Sequence, residues 1–288
     1  MGRVGFWAVW VFALSACGNG GTQEDVTDTA DQVVVDIGPE TNGEDLQASD
    51  VSPPSDDVSG VWGELQVTAL IATLPGTQPM ALRVFTYHLV HHEQNGTALV
   101  ISHEVCAVVN ESPPQVPTTT VIPQAYVDGL DSYTRAGTYT ADDSDSFDYN
   151  AEKHLALSGL TGLTDPETEE LPTSPDDPRV IDQDGDGHPG MTIRLDGFPS
   201  GELYIVQRDL TELVGKAVAA NTITGILTVS TEQVVLESMP AQLKELNPSA
   251  VVDPDPAKSY FTMVRLHAEA DCAWLAEHYS ELLPVPNL

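Results

Sequence analysis

Basic residues are scarce. The 288-residue chain carries 11 Lys and Arg against 44 Asp and Glu, for a formal net charge of −33. Nucleic acid and anionic lipid headgroups are polyanions, held mainly through Lys and Arg, and a field of this sign repels both. Nucleic-acid binding is therefore excluded as an expectation, while most of the carboxylates read as a solubilising surface. Catalytic signatures are missing as well: there is no GxSxG, HExxH, P-loop or CxxC, and His267-Ala268-Glu269 lacks the PCxxC partner of a zinc deaminase. These absences lower the case for an enzyme, although a spatial pair of carboxylates for glycoside chemistry would leave no linear motif. No unit of 20 to 50 residues repeats, which argues against a solenoid or propeller.

Cysteine is rare too, with three in the whole chain. The first, Cys17, ends the stretch MGRVGFWAVWVFALSAC, in which one Arg precedes an apolar run and then small residues. That is the layout of a secretory signal, too short for a stable span. Its end, Leu14-Ser15-Ala16-Cys17, resembles the lipobox of bacterial lipoproteins, which implies removal of residues 1–16 and lipidation of Cys17. Gly18 rather than Asp follows the Cys, and in that family this implies the outer membrane. Residues 18–60 hold eleven Asp or Glu, no Lys or Arg and no aromatic residue. Such a segment buries too little apolar surface to offset its ordering entropy, so 17–60 reads as a lipidated, disordered acidic tether to a domain over 61–288. From residue 61 onward 33 acids face 10 bases. In an oxidising compartment the two remaining cysteines, Cys106 and Cys272, are expected to pair. Closing that loop is worth on the order of 5 kcal/mol in the chain-entropy picture.

Strand patterns dominate the domain. Residues 62–74, 80–92, 97–109, 191–198, 201–210, 221–237 and 259–269 are rich in β-branched and aromatic residues, with Gly, Pro, Asn and Asp between them. One helix is expected, over 268–283, with Cys272, Leu275, Tyr279 and Leu282 on one face. Asn95-Gly96 between two strand patterns signals a two-residue hairpin turn. In that register His88 lies opposite His103, and Leu82, Val84 and Val90 share a core face with Ile101, Val105 and Val109. Cys106 then points to the other face, beside Phe85. An outward Cys bonded to a C-terminal helix implies a mainly β fold: a single antiparallel barrel with a helix outside, similar in outline to calycins or lipocalins, or else a β-sandwich. Residues 128–180, polar and acidic, read as long loops around one strand at 154–160.

Two constellations suggest metals. In Asp182-Gln183-Asp184-Gly185-Asp186-Gly187, alternate carboxylates on a tight turn supply hard oxygens of the kind calcium needs. The His188 carbonyl is expected as a fourth ligand, with Asp196, Asp177 or water completing the shell. The pattern resembles the first half of an EF-hand loop and the DxDxDG loops of thrombospondin type 3 and dockerin modules. It departs from the EF-hand in placing Ile193 where that family has its bidentate Glu, so the resemblance implies a structural Ca2+ on a β scaffold. The second constellation is His88 and His103, cross-strand imidazoles that two-fold suit zinc or copper but fall short of a full ligand set.

A lipobox joined to a DxDGDGxPG loop is similar to Gram-negative outer-membrane lipoproteins. That resemblance implies a lipid-anchored surface protein with a calcium-stabilised β domain that acts by binding or presentation to a protein or small-molecule partner. Two alternatives stay open: a hydrolase of envelope or extracellular polymer, and a barrel carrying a small ligand inside its sheet.

Overall fold

In the computed structural model, the structure describes residues 53–73, 79–111, 118–142, 146–197, 199–245 and 249–285. The expected signal, Cys17 and most of the acidic tether lie outside the described residues. Among the described residues, eleven strands form one antiparallel sheet. They are β1 (Gly60–Thr73), β2 (Met80–Asn95), β3 (Ala98–Glu111), β4 (Thr118–Val121), β5 (Tyr133–Ala141), β6 (Phe147–Ser158), β7 (Met191–Gly197), β8 (Gly201–Ala219), β9 (Thr222–Met239), β10 (Ser249–Val252) and β11 (Tyr260–Arg265). Pairing runs β8-β6-β5-β3-β2-β1-β11-β9 and returns from β9 to β8, so the sheet closes on itself as a barrel. β7 extends the β6 position along β8, β4 lies outside β7, and β10 extends the β11 position along β1.

Closure gives every strand an inside and an outside at alternate residues. At one end, inward positions carry large apolar groups: Trp62, Ile101, Tyr149, Leu213, Phe261 and Met263 fill the lumen. Phe261 fits because Gly215 and Gly225 face each other across β8 and β9; a Cβ on Gly225 would come within 2.6 Å of its ring. The segment before β1 closes this end. Val58 is buried in the same cluster, its carbonyl accepts from Trp62 Nε1 at 2.9 Å, and the Ser55 carbonyl accepts from Tyr139 at 2.8 Å. The last residues of the expected tether are thus packed chain.

The described residues also form helices α1 (Gln124–Asp128), α2 (Gln242–Glu245) and α3 (Cys272–Leu282); α3 lies outside the barrel, capped by Asp271, which accepts from the Trp274 N–H at 2.8 Å. Leu275 is fully buried, and Cys272, Tyr279 and Leu282 pack beside it against Leu65, Phe85 and Leu89. The Cys106–Cys272 disulfide ties helix to barrel across 166 residues. The fold class, the outside helix and the pairing of the two cysteines follow the sequence expectations.

Two expectations need correction. The β2–β3 turn sits at Gly96-Thr97, with Asn95 opposite Ala98, one position beyond Asn95-Gly96. His88 therefore faces Val105, and His103 faces Val90. Because the shift is two residues in pairing, both histidines still point into the lumen. A bulge then leaves Cys106 as an extra residue, which sends Val108 inward and Val109 outward, against its expected core position. The second correction concerns 128–180. It holds two full strands, β5 and β6, and the inward set Tyr133, Arg135, Tyr139 and Tyr149 belongs to them. Their outward positions face water and are polar, which gives the stretch the composition of a loop.

Candidate functional site: a polar lumen beneath the aspartate loop

Toward the other end the inward residues change character. Gln66, Thr68, Thr86, Gln207, Thr211 and Thr231 occupy places that Trp and Phe occupy at the filled end, and a cavity of about 530 Å3 remains. Short polar side chains cannot reach across a barrel of this width, so the lumen is left partly empty. Apolar patches from Leu70, Val84, Val105, Ile193 and Val229 interrupt the polar lining.

The floor of the cavity is a buried polar layer. Glu64 is completely buried; its Oε2 lies 3.2 Å from His103 Nε2 and 3.9 Å from His88 Nδ1, and its Oε1 accepts from Gln66 at 3.1 Å. Arg135, also buried, directs Nη2 to His103 Nε2 at 3.0 Å. His103, Tyr133 and His154 stack as a ladder, with centroids 4.8 and 3.5 Å apart and nearly parallel rings. His92 Nε2 meets Tyr149 Oη at 3.1 Å. Burial dominates the titration here. It lowers His88 to about 3 against the pull of Glu64, and lowers His92 to about 3 with help from His103. His103 is held well below its usual value by burial and the Arg135 charge, and the same pair brings His154 to about 4. The rings are therefore neutral at pH 7.

One carboxylate stands within the wall, Asp209 on β8. It accepts from the Gln207 amide at 2.6 Å, and Gln207 in turn accepts from Gln233 at 2.9 Å, so a chain of amides fixes it. Its residual accessibility is toward the cavity, and burial raises its pKa despite the hydrogen bonds from Thr231 and Gln207.

The mouth is roofed by α1 (Gln124–Asp128) and by the long excursion between β6 and β7, which ends in the aspartate loop. Gln183, between the aspartates, points the opposite way. Its amide donates to the Gly129 carbonyl at 2.7 Å, its oxygen accepts from the Gly159 N–H at 2.6 Å, and it lines the cavity. Gly129 is required here, because a Cβ would approach the Gln183 carbonyl to 2.9 Å. Asp182, Asp184 and Asp186 converge on the other side, each offering one oxygen within 4.8 Å of the others. Gly185 and Gly187 take the positive φ of 71° and 88° that this tight path needs. Asp182 accepts from the Asp186 and Gly187 N–H groups, and Asp184 accepts from the Thr192 N–H at 2.8 Å. Asp184 Oδ1 is buried with no hydrogen-bond partner, and burial, followed by the Asp186 and Asp182 charges, raises its pKa.

Of the other expected ligands, the Asp196 and Asp177 carboxylates are outside the converging set, and His188 adjoins it. Asp196 sits on β7 with its carboxylate 3.1 Å from Arg194 Nε, and Asp177 pairs with Arg179 at 2.7 Å. His188 donates its N–H to Asp186 and stacks on Tyr204 at 4.2 Å. His88 and His103 come together with ring centroids 5.7 Å apart, yet His103 Nε2 is already engaged by Arg135 Nη2 at 3.0 Å. Among the described residues, the three aspartates are the only set of three metal-ligating side chains that converges.

Sequence reading missed Glu64, Gln66, Arg135 and Asp209. The available signal was the polar face of Trp62-Glu64-Gln66-Thr68, which alternation alone assigns to solvent. Comparison with known proteins adds no guide to this lumen, since no family model, curated protein or solved structure matches the chain.

Proposed function

We propose that this chain is a lipid-anchored, outer-membrane binding protein whose barrel takes a small molecule into its lumen, with calcium in the aspartate loop stabilising the mouth. The observation that carries the reading is the contrast within one barrel. One end of the lumen is filled by a buried apolar cluster, and beyond it lies a cavity of about 530 Å3, the size usual for small-molecule sites, with a few fixed polar groups on a partly apolar wall. The anchor rests on the LSAC segment and the acidic stretch behind it. The ion rests on the DxDxDG pattern, the convergence of Asp182, Asp184 and Asp186, and the unpartnered oxygen of Asp184. Because Gln183 joins that loop to Gly129 and Gly159 at the mouth, the ion would act as a structural staple for the roof.

The test is titration calorimetry of the full chain, in calcium, with the neutral probe 2-phenylethanol, beside a Val229→Trp variant that fills the cavity. Saturable one-site binding that the variant abolishes is the expected result. No binding, or binding indifferent to Val229→Trp, would sink the lumen as the site.

A further inference from the structure

The cavity wall is lopsided in charge. Among the described lining residues there is no Lys or Arg; there are two acids, Asp131 at the exposed rim and Asp209 in the interior, and two histidines, His88 and His154, that burial keeps neutral. The buried cations Arg135 and Arg208 lie outside the lining: Arg135 sits in the floor layer engaged with His103, and Arg208 donates to the Pro166 and Glu169 carbonyls and pairs with Glu232. A carboxylate facing a low-dielectric space needs a counter-charge or a proton. Gln207 and Thr231 donate hydrogen bonds to Asp209 but bring no charge, and Gln233 locks Gln207 in the donating orientation. On the same face, Ala156 opposite Asp209 and Val229 on β9 supply apolar surface, and Tyr133 presents a ring already stacked on His154. The side chain is thus held in place before any ligand arrives, which is how a site avoids ordering costs on binding.

Resting on the lumen-binding reading above, we infer that the ligand is a small organic cation with an apolar body, its ammonium group against Asp209 and its body along the apolar wall. The negative field of the molecule favours the same charge from outside. A charge-assisted hydrogen bond to a carboxylate fixed in this way is stronger than its neutral counterpart, so charge rather than shape alone sets the selectivity.

Three near-isosteric probes separate the possibilities: 2-phenylethylammonium, 2-phenylethanol and phenylacetate, each titrated into the full chain at pH 7.5 and 0.15 M salt, where surface attraction is screened beyond about 8 Å. The ammonium probe is expected to bind at least tenfold more tightly than the alcohol, and phenylacetate more weakly than either. Asp209→Asn changes the net charge by one in 33 and keeps the shape; it should bring the ammonium within about twofold of the alcohol measured on the same variant. A thermal melt of the variant checks its folding, and Val229→Trp, which should abolish both, supplies an independent occlusion. Equal binding of ammonium and alcohol, both lost in Val229→Trp, would overturn the charge selection and leave the lumen reading standing. An ammonium preference that survives Asp209→Asn would assign it to the surface field and overturn the inference. Failure of all three probes to bind would overturn both.

Discussion

The two ends of the barrel are made by the same strands under the same alternation, yet one is a core and the other a chamber. On β1 the inward series runs Trp62, Glu64, Gln66, Thr68, Leu70; on β2 it runs His92, Val90, His88, Thr86, Val84. Passing from the first members to the last crosses from a packed aromatic cluster, through a layer of neutral histidines around Glu64 and Arg135, into open space. The difference teaches that a barrel lumen is filled or left empty by side-chain reach, residue by residue, with no change of backbone. It also locates the cost, since buried donors and acceptors in the middle layer, among them His88 Nδ1, His92 Nδ1 and Arg135 Nε, lack partners among the described groups.

That middle layer is where the comparison breaks first. Because folded His88 and His92 titrate near 3, below the unfolded value of 6.5, the unfolded chain takes up protons first as pH falls. Stability is therefore full above about pH 6.5 and declines from there downward toward pH 3. By pH 5 each ring costs about 2 kcal/mol, about 4 kcal/mol for the two, and His103 adds in the same direction. Asp184 and Asp209, raised by burial, work in the opposite direction, and urea midpoints at pH 7, 6 and 5 read the net fall. A midpoint that stays flat would mean that these rings are not held neutral.

Truncation sharpens the contrast between the ends. Phe261→Ala should cost about 3–4 kcal/mol, because its ring fills the space left by Gly215 and Gly225. Thr86→Val, nearly isosteric and facing the cavity, should stay within about 1 kcal/mol of the parent. Chemical denaturation measures both, and similar losses would show that the chamber end is packed as a core.

The smallest expected effect is at the mouth. Calcium at ten times its dissociation constant stabilises by about 1.4 kcal/mol, a few degrees in melting temperature for a domain of this size. EDTA should remove the gain, and Asp184→Asn with Asp186→Asn should make the melt indifferent to calcium. If the melt of the parent chain is the same in calcium and EDTA, the loop is an acidic turn held by its own N–H groups.

Much of this architecture is legible in the linear sequence because it depends on short-range pattern. β-branched alternation marks β1, β2, β3, β7, β9 and β11, helical spacing marks the buried face of α3, and alternate aspartates with glycines mark the loop at 182–187. Errors arise where one residue of register or context matters. The turn at Gly96-Thr97 and the bulge at Cys106 change partners that no local pattern distinguishes, and β5 and the first half of β6 hide behind outward polar residues, while the expected strand at 154–160 falls on the end of β6.

Local pattern specifies most of the long strands, the helix face, the facing of the two cysteines and the carboxylate spacing, each a consequence of period two, period 3.6 or a tight turn. Only the tertiary structure decided which strand face is the lumen. On β1 the apolar series Leu65 and Val67 packs under α3, and the polar series Glu64 and Gln66 turns inward. Alternation reports that two faces differ, but burial of both, one by a helix and one by closure of the sheet, inverts the rule that the polar face meets water. The buried ion layer, Asp209 and the cavity above them all follow from that inversion.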